Sequence, residues 1–295
     1  LIRDSHEPQH TKAAHRKRAW ELFRALLDRK IVEFAPPEPG RRKRRLRVNV
    51  ELGDDFSLDQ TLSLYLLDTI KLLPSPGRTG ASPVPAGAPP AENNAYHLDV
   101  LTLVESIVEN PEIILRRQLD RVKRDKLNQL RMGGVPYEER LLQIENLEYP
   151  KPNREFIYNT FNEFTATHPW VGQENIRPKS IVREMVENYF TFSDYIRAYE
   201  LQKVEGVLLR YLMSVYKVLD HTVPPAAKNE AIEEIELFLQ TTIRQVDSSL
   251  LDEWNKLRDP AFVAAETAEA TLKKGDEKPD LTRNTRVFTN LIRAE

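Results

Sequence analysis

Apolar residues recur along most of this chain at helical rather than alternating spacing. Over residues 11–29, Ala14, Arg18, Leu22, Ala25 and Leu26 fall on one stripe, widened by Trp20, Phe23 and Leu27, which predicts an amphipathic helix. The pattern then changes. Residues 31–34 and 46–52 are β-prone, the second alternating as Leu46, Val48, Val50 and Leu52, and a Pro- and Arg-rich stretch separates them. This predicts a hairpin with a basic tip. Ser57 and Gln60 then read as a capping box for an apolar helix through Leu62, Leu66 and Leu67 to Leu73. Helix, hairpin and helix over residues 1–73 suggest a winged-helix-like module.

Between residues 74 and 94, six prolines and three glycines interrupt a segment with almost no large apolar side chain, which reads as a disordered insertion. Beyond it the periodicity is helical throughout. Helices are expected over 98–109, from Pro111 to Met132 with Asn110 as N-cap and Gly133-Gly134 as the stop, and over 138–145, 153–168, 178–188, 193–198, 202–220, 229–245 and 248–256. The fold class is therefore mainly α, with a helical bundle over residues 95–258. Residues 264–283 are charged and poor in aromatics, and 285–295 begin a helical pattern that stops. With Leu1 at the start, this reads as a fragment: 259–295 would be a mobile segment and the start of a truncated C-terminal unit.

Composition narrows the chemistry. Zero cysteines remove disulfides, thiolate catalysis and Cys-ligated metals, and no long apolar run suggests a membrane span, so a cytoplasmic protein is expected. The 43 Lys and Arg against 45 Asp and Glu give a net charge of −2, so any nucleic-acid binding must come from local patches. His6-Glu7-Pro8-Gln9-His10 matches the zinc-protease spacing, but Pro8 breaks the helix that both histidines need. There is no P-loop and no DExH box, so neither ATP hydrolysis nor other autonomous catalysis is expected, and no cofactor or metal.

Two basic patches stand out. Arg41, Arg42, Lys43, Arg44 and Arg45 crowd the hairpin turn, where they would pair phosphates, stay solvated or meet an acidic neighbour. Arg116, Arg117, Arg121, Lys123, Arg124, Lys126 and Arg131 face only Asp120 and Asp125, and read most simply as a solvated helix face.

The segment Thr191-Phe192-Ser193-Asp194-Tyr195-Ile196, followed by Val204-Glu205-Gly206-Val207-Leu208-Leu209-Arg210-Tyr211-Leu212, resembles the helical ratchet domain of superkiller-type DExH helicases, with Val204 in place of the family's aromatic. A broader resemblance covers nearly the whole chain. Asp4-Ser5-His6-Glu7-Pro8, Tyr149-Pro150-Lys151-Pro152, His168-Pro169-Trp170-Val171, Arg177-Pro178-Lys179-Ser180, the same residues 205–212 and residues 244–254 resemble the C-terminal domain of uncharacterised function attached to bacterial DEAD/DEAH-box superfamily 2 helicases. The resemblance implies a part that follows two RecA-like motor lobes, which would bind ATP and Mg, and that guides single-stranded RNA or DNA without spanning a membrane. It also implies that Arg210 contacts the strand. Val207, Arg210, Ser214 and Lys217 share one helical face, opposite Leu208, Leu212, Val215 and Leu219, so Ser214 and Lys217 join Arg210 as candidates. Arg210 as a plain salt-bridge partner is the competing reading. A stand-alone winged-helix DNA-binding regulator and a helical interaction scaffold remain the alternative functions.

Overall fold

The computed structural model describes residues 2, 5–35, 46–48, 58, 60, 62–74, 95–171 and 175–258, with no side-chain description for 257 and 258. Among these the protein is mainly helical, with eleven α-helices and two short strands. Helix α1 (Gln9–Asp28) starts directly after Pro8, whose carbonyl accepts from the Lys12 amide. His6 and Glu7 therefore precede the helix, and Glu7 pairs with His15 instead of facing a metal. Strands β1 (Val32–Phe34) and β2 (Leu46–Val48) pair antiparallel, with Glu33 opposite and ion-paired to Arg47. The expected basic tip, Arg41 to Arg45, lies outside the described residues, as do the linker from 75 to 94 and the segment 259–295.

Helix α2 (Ser63–Thr69) begins later than the capping-box reading implied. Gln60 lies ahead of it and donates its backbone N–H to Ser63 Oγ at 3.2 Å, while Ser57 is outside the described residues. The C-terminus of α1 is clamped to α2. The Arg29 guanidinium grips the Asp68 carboxylate (2.6–3.2 Å) and donates to the Ala25 carbonyl and to His168 Nε2. Helices α1 and α2 thus pack directly on later elements, and one apolar cluster runs from Ala25 to Leu251.

Helix α3 (Tyr96–Ile107) is buried on nearly all sides, against α2, against α7 (Ile181–Glu187) and against α9 (Glu205–His221). Helix α4 (Glu112–Met132) is entered through Pro111 itself, whose ψ of 77° is not helical. Asn110 was expected to cap it, but the Asn110 amide oxygen instead accepts from Lys179 Nζ at 2.9 Å. The Gly133-Gly134 stop forms as expected, Gly134 taking φ +72°. Helix α5 (Tyr137–Glu145) folds back on α4.

Helix α6 (Arg154–Thr167) follows Asn153, whose φ is 53° and whose amide donates to Asp99. Helix α8 (Phe192–Ala198) has a full capping box between Thr191 and Asp194. Helices α10 (Glu230–Val246) and α11 (Ser248–Arg258) complete the bundle, α10 packing on both α9 and α11. Helices expected from 178 and 202 start at 181 and 205, because Lys179 turns into the core and Leu201 and Val204 form a tight turn. No helix among the described residues is long and apolar enough to cross a membrane.

Candidate nucleic-acid interface

The geometry of α9 is set from below. Leu208, Leu212, Val215 and Leu219 are almost completely buried, as their periodicity predicts. Beneath them lies a polar knot. The Glu105 carboxylate is inaccessible to solvent and accepts the amides of Ile181, Val182 and Arg183 (2.8, 2.8 and 3.2 Å) and the Tyr211 hydroxyl (3.0 Å). One side chain of α3 thereby holds the start of α7 and the middle of α9. Burial raises the Glu105 carboxyl above its usual pKa, against the pull of those four donors. Lys179, equally buried, donates to the Val108 carbonyl at 2.7 Å, and burial depresses its ammonium to about 7.

A second buried group braces α8. Gln118 donates to Glu184 and to the Tyr195 hydroxyl, and the Tyr199 hydroxyl donates to the same Glu184 carboxylate. Burial pushes the Tyr195 hydroxyl well above its ordinary value. The first group is closed around a fully buried carboxylate and the second is part-buried, and both read as architecture. Among the described residues no cluster of His, Asp or Glu could hold a metal.

The outward face of α9 carries the expected residues. Arg210 is exposed and its guanidinium pairs with Glu109, at the junction of α3 and α4. Ser214 is half-buried and donates back to the Arg210 carbonyl at 3.0 Å. Lys217 is half-buried, its ammonium 3.7 Å from the centre of the Trp254 ring, where it ties α9 to α11. Trp254 in turn donates to His221. So Val207, Arg210 and Ser214 share one accessible strip, while Lys217 lies at its lower end as a packing contact. At the upper end Gly206 faces open space, a Cβ there meeting nothing within 4 Å.

Of the tyrosines from 189 to 216, Tyr195, Tyr199, Tyr211 and Tyr216 are buried. Tyr189 is the exception at 92% exposed, held at φ 54° just past the end of α7, a conformation uncommon for an aromatic residue. Its position after Asn188 carried no sequence signal of exposure.

The chain belongs to the family described as "Domain of unknown function (DUF3516)", whose model matches residues 1–295. Comparison with curated proteins and with solved structures returns no match.

Proposed function

We propose that this DUF3516 chain is the nucleic-acid-guiding part of an ATP-dependent superfamily 2 helicase, with α9 as its ratchet helix. The observation that carries the reading is the division of α9 into a locked inner face and an open outer strip headed by a cation. A translocating motor needs a contact that holds the strand while its lobes open and close, and a rigid helix with an accessible guanidinium supplies one through a phosphate. The Arg210–Glu109 pair is solvent-exposed, and such pairs are worth roughly 1 kcal/mol or less, so a phosphate can replace the carboxylate cheaply. Gly206, beside the exposed Glu205 in the first turn, leaves room for close approach of a sugar-phosphate backbone.

In this reading Arg210 and Ser214 touch single-stranded RNA or DNA, and Lys217 positions α11. We read α1, β1, β2 and α2 as a winged-helix-like module, whose phosphate-facing tip would be Arg41 to Arg45. ATP and Mg belong to RecA-like motor lobes that pack against this part.

Arg210→Glu in the protein carrying its motor is expected to lower strand unwinding about tenfold or more, the size of one lost charge-assisted contact, while ATP hydrolysis stays within about twofold. Unwinding and hydrolysis measured side by side decide it. Unchanged unwinding overturns the assignment of α9.

A further inference from the structure

The α4–α5 hairpin stands off the bundle. Beyond Gln118 neither helix has a buried residue. Across the bundle, Arg29, Arg47, Arg154, Arg177, Arg183 and Arg210 each lie beside a carboxylate. On α4, Arg117 is drawn to Glu200, and Arg121 lies over the Tyr199 ring and beside Asp125. Arg116, Lys123, Arg124 and Arg131 make no ion pair among the described residues.

These four occupy positions i, i+7, i+8 and i+15. At about 100° per residue they fall within one arc of roughly 100°, and at about 1.5 Å per residue they span about 22 Å. Asp120 is the single carboxylate in that arc. A row of uncompensated cations on one face repels itself and weakens the helix, so it gains from a polyanion that replaces the missing counter-charge. The hairpin tip adds a second element. Tyr137 opens α5 just past Arg131, is 61% exposed, and has the Arg140 guanidinium 5.4 Å from its ring centre.

We infer that this arc is a second contact for single-stranded nucleic acid, its cations tracking the backbone and Tyr137 stacking on a base at the tip. Cations along a rigid line with an exposed aromatic at one end are the two elements of single-strand binding, and 22 Å covers about six nucleotides at about 3.4 Å per strand. An acidic protein would satisfy the charge but not use the exposed ring. The inference deepens the strand-guiding reading and rests on it for the identity of the polymer.

The test is fluorescence anisotropy of a labelled 20-nucleotide single strand with the 295-residue chain, across a salt series. Replacing Arg116, Lys123, Arg124 and Arg131 together by Gln is expected to weaken binding at least tenfold. It should also flatten the slope of log affinity against log salt by about 3, from four contacts at about 0.7 each. Tyr137→Ala is expected to weaken binding about tenfold with the slope unchanged. All five side chains are at least partly exposed, so the melting temperature should hold.

Arg210→Glu is measured beside them. If it weakens binding while the quadruple variant and Tyr137→Ala match the unaltered chain, the hairpin inference falls and the α9 reading stands. If only the hairpin variants lose affinity, the inference stands and the α9 assignment falls. Displacement of the strand by polyglutamate as readily as by unlabelled oligonucleotide overturns the inference in favour of an acidic protein.

Discussion

Replacing Glu105 by Ala is expected to destabilise the protein by about 4 kcal/mol, which for a chain of this size lowers the melting temperature by about 10 °C. Three backbone amides at the start of α7 and the hydroxyl of Tyr211 all end on this one carboxylate. None of the four makes another hydrogen bond among the described residues, and each orphaned buried donor costs about 1–3 kcal/mol. Glu105→Gln should cost about half as much. Its carbonyl oxygen can take the place of Oε1, which serves Ile181, Val182 and Tyr211, while its NH2 group would face the Arg183 amide donor to donor. Thermal unfolding of the two variants, with equal losses from Gln and Ala, would show that the amides are satisfied some other way.

Lys179 makes stability depend on pH. Its folded ammonium sits near 7 instead of 10.5, mainly through burial, partly offset by the charge of Glu105. Below about 7 the group is charged in both states and the full desolvation cost is felt. Between about 7 and 10.5 the unfolded chain binds a proton that the folded one does not, so stability rises with pH at up to about 1.4 kcal/mol per unit. Above about 10 the buried tyrosines oppose this: Tyr195 and Tyr211 stay protonated when folded, while their unfolded counterparts ionise. Glu105 has the opposite sign to Lys179. Its carboxyl is raised, so its contribution is greatest in acid and is lost as pH climbs through its folded value. Denaturant unfolding from pH 7.0 to 9.5 is expected to show a gain of about 3 kcal/mol that disappears in Lys179→Met. A flat profile in the unaltered chain, or the same rise in the variant, contradicts a buried lysine that titrates there.

Much of the fold was legible because helices such as α9 and α10 bury one stripe. The inner face of α9, the glycine stop after α4 and the break at Pro8 all follow from local periodicity and backbone chemistry. What escaped depends on contacts far apart in sequence. Asn110 is a good capping residue by type, but Lys179, 69 residues on, takes its amide oxygen, and Pro111 enters the helix alone. Lys217 reads as an outward cation until Trp254 is placed beneath it. Arg210 and Glu109 are 101 residues apart, and no spacing rule pairs them.

The polar knot did leave a trace. Glu105 is a lone carboxylate among Val100, Leu101, Leu103, Val104, Ile107 and Val108, a position that demands buried donors. The α4 arc was visible as composition, but only the fold shows that its four cations make no ion pair among the described residues while Arg117 and Arg121 of the same helix do.

The most direct measurement of the central claim is the affinity of the 295-residue chain for a single-stranded oligonucleotide and for the matching duplex, at 50 mM and 200 mM salt. Strand guidance predicts micromolar-range binding, about 1–100 μM at the higher salt and at least tenfold tighter at the lower, with the single strand preferred. No binding to the single strand at 50 mM salt, or tighter binding to the duplex, would contradict it.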